Sequence, residues 1–285
     1  MLPFRRILAP VDYSEPCKAV IPYVQDTVRH FSAELTLVHS YGPQALALSQ
    51  LRGDPDLPEE VRAIEEQRLA EFAREMFPGQ HTETIAQLGE PGTVIKSVIE
   101  RQGTDLVMMA TQGNGPLRRL LLGSVTAKVL HDVAAPVWTG TGSALANHAA
   151  KIPYQSILCA LDDTEQAEGV LRAAAAITET YRAHLSLVHV VETPPASFEL
   201  DFGGLRKDLL DAADLRLREL KGAAGVDAPH AVVDGGISGA IGAEAVRRNA
   251  DLIVAGRGHA QGGLSRVWSN VYSIVRESPC PVLSV

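Results

Sequence analysis

The chain has 285 residues, of which 46% are hydrophobic and 21% charged, and its formal net charge is −8. This length and composition suit two ordinary domains with buried cores and argue against a coiled coil or a disordered chain. An acidic chain without clusters of basic residues is a poor candidate for binding nucleic acids or anionic membranes.

The cysteine and apolar patterns exclude further classes of protein. Cys17, Cys159 and Cys280 have no short spacing, which fits neither a disulfide framework nor a zinc site. Cys159 lies in a predicted strand and is interpreted as a small buried apolar residue. No apolar stretch reaches the roughly 18 residues of a membrane span, and the first residues lack the pattern of a signal peptide. We therefore expect a cytoplasmic protein without a metal site.

The first half alternates short apolar runs, which are typical of strands, with amphipathic stretches of helical period. Ser14 suits the N-cap of the first helix, and Pro16 is tolerated in a first helical turn. In chain order, the sequence predicts a strand at 5–11, a helix from Ser14 to Phe31, a strand at 35–40, a helix at 57–77, a strand at 82–88, a helix at 91–102, a strand at 105–110, a helix at 124–132 and a strand at 135–139.

The second half of the chain repeats the first. RRILAPVDYSEP at 5–16 resembles QSILCALDDTEQ at 155–166, and ELTLVHS at 34–40 resembles HLSLVHV at 184–190. Two further matches follow in the same order, one at the predicted fourth strand and one at the fifth. Such a repeat indicates a duplicated domain of about 140 residues.

The predicted boundary between the two domains is a small, polar, glycine-bearing stretch that ends in a proline. We predict domain 1 at residues 1–142, a linker at 143–153 and domain 2 at 154–285. The strands of domain 2 are predicted near 156–161, 185–191, 230–234, 251–255 and 281–285.

The alternation of strands and helices predicts the fold class. It is the pattern of a parallel sheet with helices on both faces. A barrel of eight strand–helix units is the alternative, but two five-stranded units joined by a linker fit it poorly. We therefore expect two α/β domains.

The predicted sheet indicates where a ligand would bind. Open parallel sheets bind ligands beyond the carboxyl ends of their strands, where the strand order reverses. If strands 1 and 4 are neighbours, Asp12 after strand 1 faces residues 110–115 after strand 4. The Asp12 carboxylate would accept hydrogen bonds from a ribose or a base, and Val38 at the end of strand 2 could offer backbone groups to the base.

The loop after strand 4 has features that suit phosphate. Gly113 and Gly115 lack a Cβ atom, so backbone N–H groups there can approach phosphate oxygens and adopt positive φ. Gly123 and Ser124 stand at a predicted helix N-terminus, where free N–H groups and the helix dipole favour an anion. The loop is neither a P-loop nor a dinucleotide-binding fingerprint.

The sequence leaves structural interpretations of these residues open. Asp12 can cap the turn after its strand, and the glycines can simply punctuate a loop. Arg118 and Arg119 can reach phosphates, although a solvated face is the commoner role for such charges. His39 and His189 are best interpreted as hydrogen-bonded side chains near strand ends.

With this loop, the chain resembles a tandem universal stress protein over nearly all of both halves. Nucleotide-binding members of that family carry G-x2-G-x9-G-[ST] after strand 4, and here the pattern reads Ala110, Gly113, Gly123 and Ser124. The resemblance implies a flavodoxin-like sheet of order 3-2-1-4-5 in each half, an adenine nucleotide as ligand and a role in stress response. The nucleotide-binding residues that it implies are Pro10, Asp12, Val38, Met109, Ala110, Gly113, Gly115, Gly123, Ser124 and Val125.

The sequence departs from the family pattern more in the second half than in the first. Ala110 replaces the first glycine of the first loop. In the second loop Gly256 keeps the first glycine, but His259 takes the place of the second, and Ser269-Asn270 replaces Gly-Ser. A side chain at His259 would compete with phosphate for the same N–H groups. We therefore expect nucleotide binding mainly in domain 1.

The resemblance also implies a function and partners. The expected ligand is ATP, with or without magnesium, or a related adenine nucleotide, and the expected role is regulatory. The other expected partner is an unidentified protein, with no nucleic acid and no membrane. The two halves are expected to form an internal pseudo-dimer, and a homodimer of the chain is left open.

Two other functions remain as alternatives. The chain could be a ligand-free scaffold whose crevices are relics, which Ala110 and the altered second loop favour. It could also be an enzyme, but the sequence shows no general base, no Walker-type lysine and no set of magnesium ligands. We therefore assign no catalytic residue and expect at most slow ATP hydrolysis.

Overall fold

The computed structural model divides into two compact units between Trp138 and Thr139. Each unit is an α/β structure. The residues that the structure describes are 4–42, 57–112, 122–142, 145, 152–192, 203–257 and 266–285.

The first half is a five-stranded open sheet with four helices among its described residues. Its strands lie in the order β3-β2-β1-β4-β5, and β1 pairs in parallel with both β2 and β4. The elements are β1 (Arg6–Pro10), α1 (Glu15–Phe31), β2 (Glu34–Tyr41), α2 (Leu57–Met76), β3 (Thr82–Leu88), α3 (Pro91–Gln102), β4 (Leu106–Ala110), α4 (Ser124–Asp132) and β5 (Val137–Gly140).

The second half repeats this arrangement. Its strands lie in the order β8-β7-β6-β9-β10, and β6 pairs in parallel with both β7 and β9. The elements are β6 (Ser156–Leu161), α5 (Ala167–Tyr181), β7 (His184–Val191), α6 (Gly203–Ala224), β8 (His230–Asp234), α7 (Ile237–Arg247), β9 (Leu252–Ala255), α8 (Arg266–Glu277) and β10 (Val282–Ser284).

The predicted fold class is confirmed in both halves, and the barrel alternative is wrong. Each half has the strand order 3-2-1-4-5 of a flavodoxin-like sheet. Right-handed crossovers between parallel strands place the first two helices of each half on one face and the last two on the other. The packing agrees, because α3 contacts α4, α5 contacts α6 and α7 contacts α8.

Hydrophobic burial and helix caps explain why these segments form these elements. The central strands β1 and β4 are apolar runs whose inner residues are buried on both faces, as parallel strands require. Ser14 caps α1 as predicted, since its hydroxyl accepts a hydrogen bond from the Cys17 N–H at 3.2 Å. Ser32 is the C-cap of α1, and its left-handed backbone (φ 52°) closes the last turn.

An aspartate just before β4 ties this strand to the start of β1. The Asp105 carboxylate accepts hydrogen bonds from the backbone N–H of Arg5 at 2.8 Å and of Arg6 at 3.0 Å. This contact explains why β4 starts at Leu106, one residue after the predicted start. Asp251 makes the equivalent contacts with the first residues of β6, so the duplication preserved this tie.

Glu90 joins α3 to α4. It is the N-cap of α3, and its carboxylate accepts hydrogen bonds from the N–H groups of Gly92 and Thr93. Lys128 on α4 donates to the same carboxylate at 2.7 Å. Lys128 first, and then Thr93, hold the pKa of Glu90 at about 2, below its ordinary 4.5. The carboxylate is therefore a structural group and is not poised for proton transfer.

Replacing Glu90 by Gln is expected to lower the free energy of unfolding by about 1 kcal/mol at neutral pH, because a cap acceptor and a solvent-screened ion pair weaken. The lowered pKa makes this contribution present above pH 4.5 and lost as the pH falls towards about 2. Urea unfolding at pH 7 and pH 2.5 measures it. Glu15→Gln, which affects only an exposed pair with Lys18, is the control. An equal cost of Glu90→Gln at both pH values would contradict this account.

Candidate functional site

The predicted crevice lies at the carboxyl ends of β1, β2 and β4 in the first half. Pro10, the last residue of β1, pairs in register with Val38 of β2. The Val11 N–H then donates to the Val38 carbonyl at 2.8 Å, which extends the contact by one residue. On the other side of β1 lies β4, so the predicted neighbourhood of strands 1 and 4 is confirmed.

Asp12 lies in the turn between β1 and α1. β1 ends at Pro10, one residue before the predicted end of the strand, and the Asp12 side chain folds back on the turn. Its Oδ1 accepts a hydrogen bond from the Ser14 N–H at 3.0 Å. Asp12 therefore caps the turn, and its side chain is also exposed at the mouth of the crevice. The equivalent Asp162 accepts the Thr164 N–H in the same way.

The base of the loop after β4 is closed by hydrogen bonds. The Gly123 N–H donates to the Thr111 carbonyl at 2.9 Å, and the Thr126 hydroxyl donates to the Ala110 carbonyl at 3.0 Å. The chain therefore leaves and returns at one point. The tip of this loop lies outside the described residues, and with it lie the predicted site residues Gly113 and Gly115, as well as Arg118 and Arg119.

The N-terminus of α4 begins where the loop returns. Gly123 is its N-cap and provides no side-chain cap, while Ser124 is exposed and Val125 half-buried in the first turn. Gly123 has φ −61°, so it is not needed for an unusual backbone conformation. A Cβ atom there would lie 3.1 Å from the Thr111 carbonyl oxygen. Close approach to Thr111 is the reason for a small residue at this place.

Besides Pro10, three predicted site residues belong to the sheet itself. The side chains of Val38 and Met109 are buried in the core, so only their backbone groups are available to a ligand. Ala110 ends β4 and is absent from the described residues with positive φ. The alanine that replaces the family's first glycine is therefore compatible with its backbone conformation.

A cluster that the sequence analysis missed packs against the end of β2, and we call it the His39 cluster. It consists of Tyr13, His39, Glu65, Arg68 and Phe72. The Tyr13 ring lies 4.7 Å from the His39 ring and 5.4 Å from the Phe72 ring, and the Arg68 guanidinium lies 4.0 Å above it. Burial raises the Tyr13 pKa to about 12. No sequence pattern marks these partners, because they come from three separate elements.

Tyr13 is held in an unusual backbone conformation. Its φ is 59°, in the left-handed region that bulky residues avoid. Such a conformation costs about 1–3 kcal/mol and persists only where the surroundings impose it. Here the His39 and Phe72 rings and Arg68 hold the Tyr13 side chain directly after Asp12. The conformation of the turn that presents Asp12 therefore depends on α2.

The two histidines near the strand ends are hydrogen-bonded, as predicted. His39 Nδ1 lies 2.7 Å from the Val11 carbonyl oxygen, and His189 Nδ1 lies 3.0 Å from the Leu161 carbonyl oxygen. Both contacts tie the second strand of a sheet to the residue just before the crevice aspartate. The duplication has kept this tie in both halves.

The second half has a cavity at the carboxyl ends of its strands. It measures about 210 Å³. His259 lies outside the described residues, and of Ser269 only the backbone is described. The polar residues that line the cavity are Asp162, Asp163, Thr164, His189 and Asn270.

The three cysteines are buried and free of disulfides. Burial raises the pKa of Cys17 to about 11 and raises that of Cys159 further. The interpretation of Cys159 as a buried apolar residue is confirmed, since its side chain is inaccessible to solvent. Thiols in such surroundings are not nucleophiles at neutral pH.

No group of three or more His, Cys, Asp or Glu side chains in the described part of the chain is arranged to hold a metal ion. No helix in the same residues is long and apolar enough to cross a membrane.

The fold and its repeated crevices agree with comparisons to known proteins. The profile of the universal stress protein family matches residues 3–139 and again residues 153–285. The chain therefore belongs to the universal stress protein family, with two copies of the family's domain in tandem.

Individual relatives support the same conclusion. A universal stress protein of Thermus aquaticus is 33% identical over 134 residues, which are 47% of this chain and 96% of that protein. A universal stress protein structure from Archaeoglobus fulgidus is similar in fold, with 23% identity and a TM-score of 0.69 over 98% of this chain and 95% of that one. A putative universal stress protein of Pseudomonas aeruginosa has 16% identity and a TM-score of 0.65, covering 99% and 93% of the two chains.

Replacing Thr126 by Val tests the closed base of the loop. The isosteric change removes the hydroxyl that donates to the carbonyls of Ala110 and Thr111, and we expect a loss of about 1–2 kcal/mol in the free energy of unfolding. Thr27→Val is the matched control, because the buried Thr27 hydroxyl donates only to the Tyr23 carbonyl within α1. Urea unfolding compares the two, and equal costs would refute a special role for Thr126.

Proposed function

We propose that the first half binds ATP or a related adenine nucleotide, and that the protein is a regulatory member of its family without one defined reaction. The observation that carries this proposal is a convergence in the fold. The turn that presents Asp12 and the N-terminus of α4 follow two neighbouring parallel strands. Ligands of open α/β sheets bind at this kind of place.

The two sides of the crevice differ in chemistry, and this difference orients the ligand. Asp12 is an exposed carboxylate, which repels phosphate and accepts hydrogen bonds from ribose hydroxyls or a base amino group. Gly123 provides no side-chain cap for the first N–H groups of α4, at Ser124 and Val125, and such N–H groups attract anions. The nucleoside would therefore lie over β1 and β2, with the phosphates towards α4 and the glycine loop.

We propose an asymmetry between the halves, with the nucleotide held mainly in domain 1 (1–142) rather than domain 2 (154–285). One observation supports it. The second loop has His259 and Asn270 where the first has Gly113 and Ser124.

A ligand-free scaffold is the second candidate function. Ala110 in place of the family's first glycine favours it. The two candidates differ in a simple thermodynamic property. A ligand that binds only the folded state raises the melting temperature, so stabilisation by ATP would favour nucleotide binding over the scaffold.

Substitution of Asp12 by Ala is expected to weaken ATP binding about ten- to hundredfold, because hydrogen bonds to a carboxylate contribute roughly 1.5–3 kcal/mol. Gly113→Val is expected to weaken binding as well, by adding a side chain where phosphate would lie. Isothermal titration calorimetry measures both. Asp12→Asn separates the loss of the turn contact from the loss of the ligand contact, because the asparagine amide oxygen can still accept the Ser14 N–H.

Asp162→Ala in the second half is the matched control. It removes the equivalent turn contact, with Thr164, and by the proposed asymmetry it leaves the ATP affinity unchanged. Wild-type affinity in both Asp12→Ala and Gly113→Val would refute the site. Loss of binding in Asp162→Ala alone would show that the second half holds the nucleotide.

A further inference from the structure

The contact of His39 with the backbone fixes which nitrogen of its ring carries a hydrogen. Its Nδ1 lies 2.7 Å from the Val11 carbonyl oxygen. A carbonyl oxygen only accepts hydrogen bonds, so Nδ1 carries a hydrogen. In a neutral imidazole the other nitrogen, Nε2, then has no hydrogen and presents a lone pair.

A carboxylate faces that second nitrogen. Glu65 Oε2 on α2 lies 3.5 Å from His39 Nε2, and both side chains are mostly buried, with exposures of 12% for His39 and 19% for Glu65. This Glu65 oxygen accepts no hydrogen bond from the described residues. A neutral His39 therefore sets a lone pair against a carboxylate, whereas a protonated His39 sets an N–H donor against it. The contact changes from repulsive to attractive on uptake of one proton.

The second half contains the same arrangement, built from different positions. His189 Nδ1 contacts the Leu161 carbonyl oxygen, and its Nε2 faces Asp163 Oδ2 at 3.8 Å. Asp163 occupies the sequence position of Tyr13, so this carboxylate comes from the turn and not from the helix. The carboxylate comes from different segments in the two halves, but in both halves it lies against the Nε2 atom of the histidine.

An arginine completes each arrangement. Arg68 lies 3.7 Å from Glu65 in the first half, and Arg216 lies 3.4 Å from Asp163 in the second. Both arginines belong to the helix that follows the second strand of their sheet. Among the described residues, the titratable side chains in contact with His39 are Tyr13 after β1 and Glu65 on α2, and the charged Arg68 contacts both of these. In the sheet, the residue of β3 that pairs with His39 is Ala86, which carries no charge.

We propose that His39 and Glu65 are proton-linked positioning residues that set the affinity of the first crevice for its ligand. This inference rests on the proposed nucleotide binding. Protonated His39 donates through Nδ1 to Val11 and through Nε2 to Glu65, and so holds α2 against the turn that carries Asp12. Deprotonation removes the second donor, loosens α2 from Tyr13 and leaves Asp12 less fixed. Affinity is then higher at pH 6 than at pH 8.

The test compares the wild type with Glu65→Gln. A glutamine amide can donate to a neutral Nε2 and accept from a protonated one, so the variant keeps the contact at both pH values. ATP dissociation constants are measured for both proteins at pH 6 and pH 8. The ratio of the two constants at each pH cancels the titration of the phosphate itself. We expect the ATP affinity of the wild type, relative to that of Glu65→Gln, to be about three- to tenfold higher at pH 6 than at pH 8. A constant ratio overturns the proposal.

Asp163→Asn is the matched control. It alters the carboxylate that faces His189 in the second half, and its pH profile for ATP is expected to equal that of the wild type. A flattened profile in Asp163→Asn but not in Glu65→Gln would overturn the assignment to His39.

A measurement without ligand separates this proposal from the proposed function. NMR hydrogen exchange at the amides of Asp12, Tyr13 and Ser14, corrected for the intrinsic effect of pH, reports how firmly the turn is held. We expect stronger protection at pH 6 than at pH 8 in the wild type and no such difference in Glu65→Gln. Absence of ATP binding at both pH values would refute nucleotide binding, and equal protection profiles in the two proteins would refute the proton link.

Discussion

The pairing of β1 with β2 on one side and β4 on the other holds the candidate site together. Pro10 lies in register with Val38, and the aspartate before β4 binds the first residues of β1. These contacts fix both ends of β1 against its neighbours. Because the strands are parallel, their carboxyl ends meet at one edge. Two segments about 100 residues apart in sequence, the turn at Asp12 and the start of α4, therefore lie at that edge.

The comparison of the two halves separates what the fold requires from what a ligand requires. The aspartate tie, the turn aspartate and the histidine near the end of the second strand occur in both halves. These devices position the strand ends. The glycine loop differs between the halves, although the sheets are alike. The difference in the segment that would contact phosphate is the basis for proposing different nucleotide affinities for the two halves.

The fold was largely predictable because several local signals agreed with one another. The repeat indicated the number of domains, the buried apolar runs predicted the strands, and Ser14 and Pro91 marked the starts of two helices. The end of β1 was less predictable, because the fold-back of Asp12 onto Ser14 depends on the turn conformation. Only three-dimensional packing brings Glu65 against His39 and Tyr13 into a left-handed conformation. Neither is visible as a periodic pattern.

Native mass spectrometry of the intact chain, titrated with ATP, tests the central claim most directly, because it counts bound nucleotides for each polypeptide. The account predicts that one nucleotide binds before any second, and that the bound species disappears in Asp12→Ala but persists in Asp162→Ala. Two equivalent nucleotides per chain would contradict the asymmetry. A chain that stays free at saturating ATP would contradict nucleotide binding itself and leave the scaffold as the function.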